Sequence, residues 1–114
     1  MPADDIGDTL ASMMLSSGAL RVLALFLEAP QTGRYGLEIA KEAGVGSSTL
    51  YPLLARLEAA GWLTSEWEDL DPKAEKRPAR RLYWITDLGI VEARNEIRPL
   101  LARLRNMRPG LEAI

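Results

Sequence analysis

Four leucines set the clearest period in the chain. Leu50, Leu53, Leu54 and Leu57 recur at i, i+3, i+4 and i+7, the spacing of one buried stripe on an α-helix. Pro52 is tolerated only near a helix start, because deeper inside it deletes a backbone hydrogen bond and clashes with the preceding turn. The pattern therefore predicts a helix that begins near Ser47 to Thr49 and ends at Gly61, with Trp62 after it. At about 100° per residue, Ser48, Pro52, Ala55 and Ala59 lie across from the leucines. Thr49 and Arg56 flank them on one side, Tyr51 and Glu58 on the other.

Upstream, residues 19–28 are apolar nearly all round, which predicts a central core helix capped by Ser16 or Ser17 and stopped at Ala29-Pro30. Residues 9–15 can form a short helix that Ser16-Ser17-Gly18 interrupts. Thr32-Gly33-Arg34 reads as a loop, and Leu37, Ile39, Ala40 and Ala43 as the apolar side of a short helix closed by Gly44. Downstream, residues 63–69 alternate and residues 81–86 are rich in aromatic and β-branched side chains, so they predict an antiparallel hairpin. Residues 70–80 form a polar, proline-containing connection that should project into solvent. Thr86 or Asp87 can cap a last helix in which Ile90, Ala93, Ile97, Leu100, Leu104 and Met107 keep heptad spacing across a kink at Pro99, with a break there as the alternative, until Pro109-Gly110 ends it.

This order, with a glycine-containing turn at 43–46, is that of a winged helix-turn-helix: a mainly α fold with a small β-hairpin and a C-terminal dimerisation helix. The expected organisation is an N-terminal segment 1–15, a winged domain 16–86, a dimerisation helix 87–108 and a tail 109–114. A reading helix must bury one stripe and present small polar side chains outward, so that its backbone approaches the major groove. Ser47, Ser48, Thr49 and Tyr51 stand at its start, and Arg56 follows one to two turns on. Ser47 and Ser48 could equally serve as helix caps. Tyr35 is a candidate phosphate contact through its hydroxyl.

Composition removes most other chemistry. With 114 residues the chain is sized for one domain. It has neither cysteine nor histidine, so thiolate nucleophiles, disulfides, imidazole catalysis and the usual zinc sites are excluded. No enzyme activity, cofactor or metal is expected. No apolar run approaches the length of a membrane span, and residues 1–8 are acidic, unlike a signal peptide, so a cytosolic protein without membrane contact is expected. The net charge of −2 does not by itself favour nucleic acid, so the case rests on local distribution. Lys73, Lys76, Arg77, Arg80 and Arg81 lie on the hairpin connection and its flank, opposed by Glu66, Glu68, Asp69, Asp71 and Glu75. Either these bases meet the DNA backbone or they form a charge-paired, solvated hairpin. Trp62, Trp67 and Trp84 read as core and hairpin packing.

The motifs also resemble a family. Tyr35-Gly36-Leu37-Glu38-Ile39, the run Ser48-Thr49-Leu50-Tyr51-Pro52-Leu53-Leu54 within a Leu-Glu-x-x-Gly frame ending at Gly61, Arg77-Pro78 through Thr86, and Asp87-Leu88-Gly89 are similar to those of PadR-like transcriptional regulators. The resemblance spans about residues 20–92 and implies a homodimeric repressor on an inverted-repeat operator, released in some members by a small hydrophobic or aromatic effector. It is closest to the compact subfamily with one C-terminal helix. Where the family's wing usually has Gly-Arg-Pro, this chain has Lys76-Arg77-Pro78, and its last helix lacks the tryptophan used by drug-binding members. Expected DNA contacts are Tyr35, Ser47, Ser48, Thr49, Tyr51, Arg56, Lys76, Arg77 and Arg80. The expected dimer seam is Ile90, Ala93, Ile97, Leu100, Leu104 and Met107, and an effector would lie there beside Met13 or Met14. Two alternatives remain: a winged-helix module that binds another protein, and a sensor of hydrophobic ligands without DNA affinity.

Overall fold

In the computed structural model, which describes residues 16–106, helix α1 (Ser17–Glu28) opens the domain. Ser16 caps it, its hydroxyl accepting from the Ala19 amide at 3.1 Å. Strand β1 (Arg34–Tyr35), α2 (Gly36–Ala43) and α3 (Ser47–Ala59) follow. Next come β2 (Leu63–Trp67), a single turn α4 (Pro72–Glu75), β3 (Arg81–Ile85) and α5 (Asp87–Asn106). The expected helix over 9–15, Met13 and Met14, Met107 and the Pro109-Gly110 stop lie outside the described residues.

The three helices and the sheet share one core, in which Val22, Leu23, Phe26, Ile39, Leu50, Leu54 and Leu57 are fully covered. Trp62, Leu63, Tyr83 and Ile85 close it from the sheet side. Gly44 ends α2 in the left-handed conformation at φ 66°, as the C-cap reading required. The leucine stripe of α3 is at most 1% exposed.

Three features depart from the sequence reading. The segment read as a loop at 32–34 supplies a third strand: Arg34 and Tyr35 pair antiparallel with Tyr83 and Leu82, giving the sheet order β1-β3-β2. Two residues are too few to show a period. Leu37, expected on the buried side of α2, is 72% exposed. The connection 70–80 contains α4, whose Asp71 side chain accepts from the Lys73 amide at 3.0 Å, ahead of Pro72 in the first helical turn. Asp followed by Pro is a helix-start signal that could have been read in advance.

Helix α5 runs unbroken through Pro99. Thr86 caps it: its hydroxyl accepts from the Gly89 amide at 3.0 Å, and its amide donates to the Trp62 carbonyl at 2.9 Å. The expected seam divides along this helix. Ala93 is fully covered and Ile90 packs against the core within the one chain, because α5 crosses α1 there. Ala93 is therefore a core residue of the single chain and not an open interface position. Further on, Ile97 and Leu100 are half-buried, and Leu101 and Leu104 are 50% and 52% exposed. Among the described residues no helix is long and apolar enough to cross a membrane.

Candidate nucleic-acid interface

Because the leucines of α3 face inward, the helix turns its other side to solvent. Ser47, Ser48, Thr49, Pro52, Ala55 and Arg56 are all exposed, as the rotation of the helix requires. Ser47 and Ser48 do not cap it. The N-cap is Gly46, and among the described residues no side chain accepts from the first turn. The leading amides of α3 thus lack a side-chain partner, which favours a nearby anion. Tyr51 is partly exposed, and its ring rests on Gly36 so closely that a Cβ there would lie 2.8 Å from its hydroxyl. A groove of about 330 Å³ runs between the start of α2, Tyr51 and the wing.

The hairpin β2–β3 stands beside this face in full register, from Leu63 opposite Ile85 to Trp67 opposite Arg81. Its bases fall into two groups. Arg81 is turned back toward α3, with its Nη2 3.2 Å from Glu58 and its Nε donating to Ser65 at 2.8 Å. It also lies 5.8 Å from the ring centres of Trp67 and Tyr83. Trp67, read as packing, is 66% exposed at the strand end, where Arg81 covers one face.

Arg77 is paired as well. Its Nη1 donates to Glu68 Oε1 at 2.6 Å and its Nη2 to Oε2 at 3.2 Å. The Tyr35 hydroxyl donates to the same Oε2 at 2.7 Å. Two residues expected to reach DNA are thus bound to one carboxylate, and the charge-paired reading of the wing holds for Arg77. Arg81 is paired too, though with Glu58 of α3; the other three bases are not. Lys73, Lys76 and Arg80 are exposed and form no ion pair among the described residues, and neither does Arg56. Arg80 lies over the Tyr35 ring, 5.1 Å from its centre.

Lys76 has φ 56°, the left-handed conformation at the end of α4. A side chain there costs about 1 kcal/mol. This is the position at which the resemblance places glycine.

The hydrogen bonds from Arg77 and then Tyr35 hold the Glu68 carboxyl down to about 2 from an ordinary 4.5. The same carboxylate pushes the Tyr35 hydroxyl up. In the unfolded chain Glu68 takes up its proton near 4.5, whereas the fold favours the ionised form. The network's contribution to stability is therefore complete above about 4.5 and disappears as pH falls toward about 2. Melting temperatures across that acid range should fall less steeply for Glu68→Gln than for the unmodified chain. Parallel curves would show that Glu68 is not held in this way.

Comparison with known proteins gives a consistent picture. Residues 22–95 match the model of the transcriptional regulator PadR-like family. No curated protein sequence matches. Among solved structures, a PadR-like transcriptional regulator from Bacillus cereus superposes with a TM-score of 0.64 at 19% identity, over 82% of this chain and 89% of that one. A transcriptional regulator from Clostridium thermocellum gives 0.63 at 24% identity, over 80% and 89%. The MepR–DNA complex of S. aureus gives 0.59 at 20% identity, over 98% and 88%. At these identities the likeness establishes the fold.

Proposed function

The chain belongs to the PadR-like family of transcriptional regulators, whose members are not enzymes, and from that premise we propose that it is a homodimeric repressor that reads an inverted-repeat operator with α3. One observation carries the reading. Helix α3 hides its leucines almost completely while presenting Ser48, Thr49, Pro52, Ala55 and Arg56 to solvent, beside a wing whose Lys73, Lys76 and Arg80 side chains form no ion pair among the described residues. Small side chains let the helix backbone approach base edges, and unpaired cations meet phosphate. That one protein sharing this fold is a DNA complex supports the same use of it.

In this reading Ser47, Ser48, Thr49 and Tyr51 face bases or flanking phosphates. Arg56 meets backbone or guanine. Lys76 and Arg80, joined by Lys73, neutralise phosphates from the wing, while Tyr35 and Arg77 act through the contacts they make in the protein. The exposed end of α5, from Ile97 to Leu104, pairs with its copy. A groove of about 300 Å³ lined by Leu27, Ile97 and Leu101 and edged by Arg94, Arg98 and Arg105 is the place for a hydrophobic effector.

Salt dependence tests the wing. Each phosphate neutralised by a protein cation releases counterions, so the slope of log affinity on log salt shrinks by about 0.9 for each such cation lost. Replacing Lys73, Lys76 and Arg80 together by alanine should flatten the slope by about 2 to 3 and weaken operator and random duplex alike. An unchanged slope would reduce the wing to a solvated hairpin.

A further inference from the structure

We propose that Glu68 is a positioning residue of the wing, its carboxylate tying the Arg77 side chain and the Arg80 backbone to the Tyr35 hydroxyl at the start of α2. The inference rests on the DNA-binding reading above and adds to it the residue that sets where the open cations stand.

Glu68 lies one residue beyond β2. Its amide donates to the Arg80 carbonyl at 2.7 Å, and the Arg80 amide donates back to Glu68 Oε1 at 3.3 Å. With Arg77 and Tyr35 added, each carboxylate oxygen accepts from two donors. An ionised carboxylate offers about four acceptor sites, so this one is saturated. The Arg77 pair is bidentate, the geometry that fixes orientation as well as distance.

Its partners come from two separate parts of the fold. Tyr35 belongs to β1 and forms the N-cap of α2, whereas Arg77 and Arg80 belong to the wing connection. Arg80 is consequently held twice, by its backbone through Glu68 and by its guanidinium over the Tyr35 ring. Binding that must order a loop loses the entropy of ordering, and a loop already ordered does not.

Simple electrostatics points the other way. A carboxylate near phosphates repels them, and its removal would also free Arg77 to meet one. If charge alone mattered, Glu68→Gln would bind operator more tightly, with a salt slope steeper by about 0.9. If Glu68 positions the wing, the same variant binds operator about tenfold more weakly, while random duplex binding stays the same or tightens. Glu68→Asp keeps the charge but is one methylene too short to hold both sides, so it should also lose operator affinity. Tyr35→Phe removes one donor and keeps the ring, and its loss should be smaller.

The test is fluorescence anisotropy with operator and random duplex across a salt series, on variants shown by circular dichroism to be folded. Hydrogen exchange of the amides between residues 69 and 80 is measured alongside. We expect weaker operator binding by Glu68→Gln and Glu68→Asp, together with faster exchange in the wing. Operator binding by Glu68→Gln equal to or tighter than that of the unmodified chain overturns the proposal. Failure of the unmodified chain to bind any duplex would sink the reading beneath it instead. Exchange alone would then decide the tether: unchanged protection overturns it, and faster exchange upholds it.

Discussion

Gly89→Ala should destabilise the domain by about 3 kcal/mol, even though glycine to alanine within a helix ordinarily gains about 1 kcal/mol. The reversal comes from geometry. A Cβ at position 89 would lie 2.1 Å from the Trp62 carbonyl oxygen and 2.8 Å from Ile85 Cγ1. The first obstacle is backbone and cannot rotate away, so α5 must move. That movement breaks the bond from the Thr86 amide to Trp62, loosens the Thr86 hydroxyl from the Gly61 carbonyl at 2.6 Å, and lifts Ala93 from the core. For a domain of this size the melting temperature should fall by roughly 15 °C. Thermal denaturation by circular dichroism checks it, and a melting point equal to or above that of the unmodified chain would show that α5 does not dock through this contact.

Leu104→Asp should convert a dimer to a monomer without loss of the fold. Leu104 is 52% exposed on α5, so in a single chain the new carboxylate reaches water. Across a two-fold seam it would be buried against apolar side chains, at several kcal/mol. The dissociation constant should rise by about a hundredfold or more, with the helical signal unchanged. Ile97→Asp is the less selective variant, because Ile97 is half-buried within its own chain and the change harms fold and dimer together. Sedimentation at micromolar concentration decides between these outcomes. An unmodified chain that sediments as a monomer would contradict the dimer.

What was legible in the sequence was local. The α3 stripe, the Ser16 and Thr86 caps, the Gly44 stop and the passage of α5 through Pro99 depend on spacings of a few residues, and all stand in the structure. The outward face of α3 was legible for the same reason, since burial of one stripe dictates the opposite side. Contacts between distant parts were not. Nothing in Arg34-Tyr35 announces pairing with Tyr83 and Leu82, and nothing in Glu68 says that its acceptors will go to Tyr35 and Arg77. Five acids and five bases around one hairpin allow many pairings, and tertiary placement gave Arg77 to Glu68 but Arg81 to Glu58 of α3, an acid outside that set. Ala93 fits a heptad seam and an intramolecular core equally well, because both need a small apolar residue at that phase.

Whether α3 reads sequence is decided by selecting bound fragments from a pool of random duplexes. The unmodified chain should enrich an inverted repeat whose half-sites lie about one helical turn apart, or a multiple of it. Thr49→Ala and Tyr51→Ala should each lose about 1 to 3 kcal/mol per abolished base contact and shift the preferred bases at a defined position of both half-sites. Selection that yields no common sequence, or the same sequence with the same affinity from the variants, would show that α3 does not read bases.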